Sequence, residues 1–89
     1  AVKLSGDMEE TAEKIITAVG GSSNIRVIDN CFTRLRLTLE DTSIVDDAAL
    51  KATGAAGIVK PDKNNIQIIY GPKVEQIANS VKSLKKTKN

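Results

Sequence analysis

Residues 33–39 run Thr33, Arg34, Leu35, Arg36, Leu37, Thr38, Leu39. This strict alternation matches a β-strand, whose successive side chains leave opposite faces, and it does not fit a helical period. One face carries Thr33, Leu35, Leu37 and Leu39, and the other carries Arg34, Arg36 and Thr38. Such a strand is half-buried, with its leucines on a core and its arginines in water. That is the pattern of an antiparallel sheet covered on one side only. The alternation therefore predicts a strand over 32–39 and restricts the chain to folds with one open sheet face.

The flanking segments supply what covers the other face. Met8, Ala12, Ile15, Ile16 and Val19 recur at helical spacing, so 7–19 is a predicted helix after a disordered lead-in at 1–6. Asp7 can cap it, Glu9 and Glu10 suit its positive end, and Gly20-Gly21 ends it. Residues 25–28 read as a strand, and Asp29 and Asn30 as a turn that closes a hairpin near Cys31. Asp46 can cap a short helix to Ala52, ended by Gly54. A second hairpin follows, with strands at 57–60 and 65–70 around a turn at 61–64 that uses Pro61. Gly71-Pro72 opens a last helix with proline at its first position. Its stripe is Val74, Ile77, Ala78, Val81 and Leu84, and residues 85–89 read as a linker or tail. The resulting expectation is an α+β domain over 7–84, an antiparallel sheet with helices packed on one face and the other face open.

At 89 residues the chain suits one small domain with one modest core and a shallow site. Phe32 and Tyr70 are its only aromatic side chains, so the core must be aliphatic. The same scarcity argues against single-stranded nucleic acid, which is held by stacking. The formal charge of +2 comes from the end of the chain: Lys82, Lys85, Lys86 and Lys88 lie there, while residues 1–81 hold nine basic and eleven acidic side chains. The basic end reads as a solvated tail rather than a binding face. With no histidine and one cysteine, the chain lacks catalytic triads with histidine, cysteine-rich or histidine metal sites and an internal disulfide. No run approaches about 20 apolar residues, the length of a membrane span. No signal peptide is visible, and the start at Ala1 without methionine reads as a processed chain or a piece of a larger one.

Cys31 stands just before the alternating strand. Arg34 and Arg36 lie two residues apart on its open face, about 7 Å along the strand, a spacing at which two guanidinium forks can bracket one dianion. Cys31 has the parity of the leucines, so it joins the arginines only if the backbone turns between Asp29 and Phe32. Such a turn would leave the N–H groups of Phe32 and Thr33 unpaired as a small anion nest, beside which a thiol ionises more easily. A lone cysteine is also commonly a small buried hydrophobe, and an arginine pair is commonly a solvated face. The residues alone leave both readings open.

The stretch Asp29-Asn30-Cys31-Phe32-Thr33-Arg34-Leu35-Arg36-Leu37 resembles the signature of the glucose-type enzyme IIB family of the bacterial sugar phosphotransferase system: an aspartate, a cysteine two residues on, then T-R-L-R. Leu50-Lys51-Ala52-Thr53-Gly54-Ala55-Ala56-Gly57-Ile58-Val59 is similar to the family's second block. Asn65-Ile66-Gln67-Ile68-Ile69-Tyr70-Gly71-Pro72-Lys73-Val74 is similar to its third. The resemblance covers nearly the whole chain, from Asp7 to Leu84, and implies a four-stranded antiparallel sheet with helices on one side.

It also implies a phosphotransferase function without cofactor or metal. Cys31 would accept a phosphoryl group from a phosphohistidine on a IIA domain and donate it to a sugar bound in a membrane IIC domain, in the glucose, maltose or α-glucoside branch. Arg34, Arg36, Thr33 and Phe32 would form the phosphate-binding surroundings. The setting would be one domain of a multidomain permease, at the cytoplasmic face of the bacterial membrane. As an isolated domain it would be monomeric, with a transcription regulator as a possible further partner and no nucleic acid. Cys31 should then be at least partly exposed. Phe32 should belong to a docking surface, or else to the edge of the core. A competing expectation is a B-like module that binds anions or partners without transferring anything.

Overall fold

A computed structural model describes residues 6–88 of the chain. The elements run α1 (Gly6–Ala18), β1 (Ile25–Asn30), β2 (Arg34–Leu39), α2 (Asp47–Ala52), β3 (Gly57–Asp62), β4 (Asn65–Ile69) and α3 (Val74–Lys88), with short 3-10 turns at Ser22–Asn24 and Thr42–Ile44. The four strands form one antiparallel sheet in the order β1-β2-β4-β3. Two hairpins thus lie side by side, and β2 and β4 pair at the centre.

Alternation decides which face is covered. Leu35, Leu37 and Leu39 of β2 are buried, as are Ile66 and Ile68 of β4. They join Ala12, Ile15 and Val19 of α1, Leu50 of α2, and Val74, Ile77, Ala78 and Val81 of α3 in one core. The core is aliphatic except for Tyr70, one of the chain's two aromatic residues, which is buried in it as well. Each Val, Leu or Ile side chain that leaves water contributes about 1.5–3 kcal/mol, so the three helices are held chiefly by the leucine and isoleucine stripes they cover.

Several boundaries differ from the sequence expectations. Gly6 already belongs to α1, while residues 1–5 lie outside those described, as do the side chains of Asp7 and Met8. β1 extends through Asp29 and Asn30, so these two residues are strand rather than turn. β2 begins only at Arg34, and Thr33 is exposed in the bend before it rather than facing the helices. Pro61 sits inside β3, not in the turn. It is tolerated because β3 is an edge strand and its register shifts between Val59 and Asp62. Pro72 precedes the first helical residue of α3 by two positions. That helix runs on to Lys88, past Leu84 where the apolar stripe stops, as a lysine-rich stretch of good helix formers can.

Capping follows the expected residues more closely. Asp46 accepts the Ala49 N–H at 3.1 Å and starts α2. Gly21 N–H donates to the Ile16 carbonyl at 2.8 Å and closes α1.

Candidate functional site

The cysteine lies where the first hairpin changes direction. Asn30 pairs with Leu35 at the end of the β1–β2 ladder, and Cys31 N–H then donates to the Arg34 carbonyl at 3.0 Å. The chain reverses in the three residues 31–33. This reversal breaks the strand parity, so Cys31 is exposed instead of lying among the leucines. Asp29 and Asn30 fasten the turn from its edge. Asp29 Oδ1 accepts the Asn30 N–H at 2.8 Å, and the Asn30 amide donates to the Cys31 carbonyl at 3.0 Å.

The thiol pKa is held below its ordinary value. The main cause is that the backbone N–H groups of Thr33 and Arg34 point at the sulfur, and the positive charges of Arg36 and Arg34 add to it. The nest is therefore made by Thr33 and Arg34, one residue later than the turn-first reading placed it, because the reversal itself falls one residue later. Its donors are part of a hydrogen-bonded hairpin and so are preorganised rather than loose.

The two arginines share the open face but not their surroundings. Arg34 is half-buried, and its Nη1 donates to Gln67 Oε1 on β4 at 2.8 Å. Arg36 is exposed, lies opposite Asp29 in the β1–β2 register and opposite Gln67 in the β2–β4 register, and makes no ion pair among the described residues. One guanidinium is thus restrained and the other is available. Gln67 escaped the sequence reading, although parity could have found it: between Ile66 and Ile68 on a covered strand, it must project from the open face beside the arginines.

Phe32 caps the loop with 93% of its surface exposed, so it is not a core-edge residue. A shallow hollow beside it is lined by Asn30, Cys31, Phe32, Pro72, Val74 and Glu75. It joins the hairpin tip to the start of α3, a contact between segments about 40 residues apart that no local pattern signals. The other support for the loop comes from the end of β4, where Tyr70 N–H and Gly71 N–H both donate to the Thr33 carbonyl at 2.9 Å. Tyr70 itself is buried, and its hydroxyl lies 2.6 Å from Thr53 Oγ1, just beyond α2.

Such a site offers an exposed thiol that ionises more easily than a free one, fixed donors around it and two guanidinium groups nearby. These features suit reversible attack on a phosphorus centre, which demands positioning and charge stabilisation more than further chemistry. The chain resembles known proteins in the same region. The family model described as phosphotransferase system, EIIB, matches residues 13–46, which include the whole cysteine loop. The N-acetylglucosamine-specific EIICBA component of Klebsiella pneumoniae is 47% identical over 77 residues, 86% of this chain and 12% of that protein. This chain therefore spans only a small part of that relative. The N-acetylglucosamine-specific EIIB component of Streptomyces coelicolor is 42% identical over 77 residues, 86% of this chain and 99% of that protein. Among solved structures, one domain of the PTS system IIabc component from Clostridium difficile matches with a TM-score of 0.73 and 27% identity, over 94% of this chain and 83% of that one.

Proposed function

This chain belongs to the EIIB family of the sugar phosphotransferase system, and on that premise we propose that Cys31 is the residue that carries the phosphoryl group. The observation that supports this most is the placement of Cys31 Sγ against the N–H groups of Thr33 and Arg34 with Arg36 and Arg34 near it. In the first step the Cys31 thiolate attacks the phosphorus of a phosphohistidine on a IIA domain. An S–P bond forms, and the N–P bond breaks with its electron pair left on the imidazole nitrogen. In the second step a sugar hydroxyl attacks the same phosphorus. An O–P bond forms, the hydroxyl proton goes to a base, and the S–P electron pair returns to Cys31 as thiolate.

Each residue of the loop has a part in this. The N–H groups that stabilise the thiolate also face the oxygens of the phosphoryl group it receives. Arg36, without an ion-pair partner among the described residues, supplies charge to the incoming dianion, and Arg34 supplies it from a direction set by Gln67. Thr33 acts through its backbone. Phe32, exposed beside the sulfur, is an apolar contact for partner domains that must take turns at one shallow site.

The donor is a IIA domain and the acceptor is a sugar in a membrane IIC domain, which places this chain at the cytoplasmic side of a permease. The names of the Klebsiella and Streptomyces relatives support N-acetylglucosamine as the sugar, within the glucose-type branch. No described helix is long and apolar enough to cross a membrane. Among the described residues the exposed large apolar side chains, Val27, Phe32, Ile44 and Val59, lie on separate elements, which supports a monomer for the domain on its own.

Incubation with a phosphorylated IIA domain is expected to add one phosphoryl group, located at Cys31 by mass spectrometry of peptides. Cys31→Ser is expected to add none. Equal labelling of the serine variant would refute the assignment.

A further inference from the structure

One rung of the first hairpin sets unlike charges side by side. Asp29 of β1 lies directly opposite Arg36 of β2. Both are exposed, and both line one hollow on the open face of the sheet with Val27, Thr38, Asn65 and Gln67. Side chains directly opposite on one sheet face stand about 5 Å apart at Cβ, within reach of an ion pair. No such pair forms between these two. The Asp29 carboxylate is turned to its own backbone, where Oδ1 accepts the Asn30 N–H at 2.8 Å. Arg36 is left with its charge uncompensated, and a carboxylate is left beside it.

That carboxylate works against anion binding. The ladder partners of Arg34 and Arg36 are Ile69, Asp29 and Gln67, and of these Asp29 alone is charged. It stands two residues before Cys31, about 7 Å along the strand. This is within the screening length of about 8 Å in physiological salt, so a phosphoryl dianion on Cys31 would feel its repulsion. The same charge also weakens the field that Arg36 offers to an incoming anion. A site selected only to hold phosphate would be better without it. A relay gains from it, because every added hold on the phosphocysteine lowers the starting state of the second transfer and raises its barrier.

We propose that Asp29 is a counter-charge that limits how tightly the Cys31 and Arg36 end of the sheet holds an anion. Free phosphate is then not retained, and a phosphoryl group is readily passed on. The bearing on onward transfer rests on the function proposed above, whereas the effect on phosphate binding does not.

Titration of the full chain with inorganic phosphate, followed through the amide NMR signals of residues 29–36, tests this. Asp29→Asn removes the charge and keeps a side-chain oxygen able to accept the Asn30 N–H, so the hairpin should be preserved. Glu13→Gln is the control for net charge alone, since Glu13 is exposed on α1, on the covered side of the sheet. Asp29→Asn is expected to bind phosphate at least about threefold more tightly than the parent at low salt, and the gain should shrink as salt is raised to about 0.5 M. Glu13→Gln should match the parent. Asp29→Ser, with a shorter acceptor, should repeat the gain and takes the place of Asp29→Asn if that variant does not fold.

Unchanged or weaker phosphate binding in Asp29→Asn, an equal gain in Glu13→Gln, or no detectable binding by parent and variant alike would overturn the proposal. On the phosphorylated domain, Asp29→Asn should accept the group from a IIA domain at least as fast as the parent and release it to a IIC domain more slowly. Failure of the parent to accept the group would strike the proposed function and leave the phosphate titration standing.

Discussion

At the scale of single residues, the chemistry of Cys31 depends more on peptide groups than on charges. The N–H groups of Thr33 and Arg34 lower its pKa more than the two guanidinium groups do. Hydrogen bonds of this kind are short-ranged and barely screened, whereas exposed charges are screened within about 10 Å at 0.1 M salt and about 3 Å at 1 M. Raising salt to about 1 M should therefore leave most of the lowering in place. The alkylation midpoint is the measurement, and a return to that of a free cysteine would contradict the account. The sign follows from the direction of the shift. Between the lowered pKa and the ordinary thiol value, native Cys31 is thiolate and reacts, while the same cysteine in the unfolded chain is protonated and slow. Phe32 poses the opposite case, a large apolar side chain with almost no contacts to lose. Phe32→Ala should change stability by no more than about 0.5 kcal/mol in urea melts. It should nonetheless slow transfer from a IIA domain. A variant both parent-like in transfer and parent-like in stability would remove Phe32 from the docking surface.

Elements matter here through how they end. β1 could have closed into a tight turn at Asp29–Asn30, and local propensity favours that. Instead the ladder continues to Asn30, because pairing with Leu35 keeps all three leucines of β2 on the core. The turn chemistry of Asp29 and Asn30 is then spent on fastening the loop. At the other end of the same hairpin, Asn24 is a buried polar residue whose role no sequence pattern announced. Its amide donates to the Val19 carbonyl at 2.7 Å and to the Asp41 carbonyl at 3.0 Å, and its oxygen accepts the Asp41 N–H at 3.1 Å. It thereby joins the end of α1 to the exit of β2. Asn24→Ala would leave these backbone groups without partners and should cost about 2–3 kcal/mol. Its thiol midpoint should stay near that of the parent, since the cysteine loop is at the far end of β1. Denaturant melts and alkylation together check both halves of that expectation.

For the whole molecule, one largely aliphatic core supports everything, and the site has no independent support. The cysteine loop is held by β1, by β2 and by the segment after β4, which are brought together only when the helices cover the sheet. Loss of structure and loss of the thiol shift should therefore coincide. In a urea series, the alkylation midpoint should revert to that of free cysteine at the same denaturant concentration at which the helical signal disappears. A thiol that reverted well before the helices melted would show the loop to be a separately unfolding unit. Sequence alone determined the alternation of β2, the helical stripes, the aliphatic core and the open face with its two arginines. Each of these is a periodicity or a composition, and burial acts on them directly. The resemblance to the IIB signature singled out Cys31 among its neighbours. Tertiary structure alone decided where the hairpin reverses, which N–H groups face the sulfur, that Gln67 restrains Arg34 while Arg36 stays available, and that Tyr70 and Gly71 hold the loop. Apart from the reversal itself, which the Cys31–Arg34 and Asn30–Leu35 contacts make within the hairpin, these are contacts between residues more than thirty positions apart or directions of single peptide groups. Local pattern carries no record of them, because they are set by how β2 and β4 pair and by where the chain leaves the sheet.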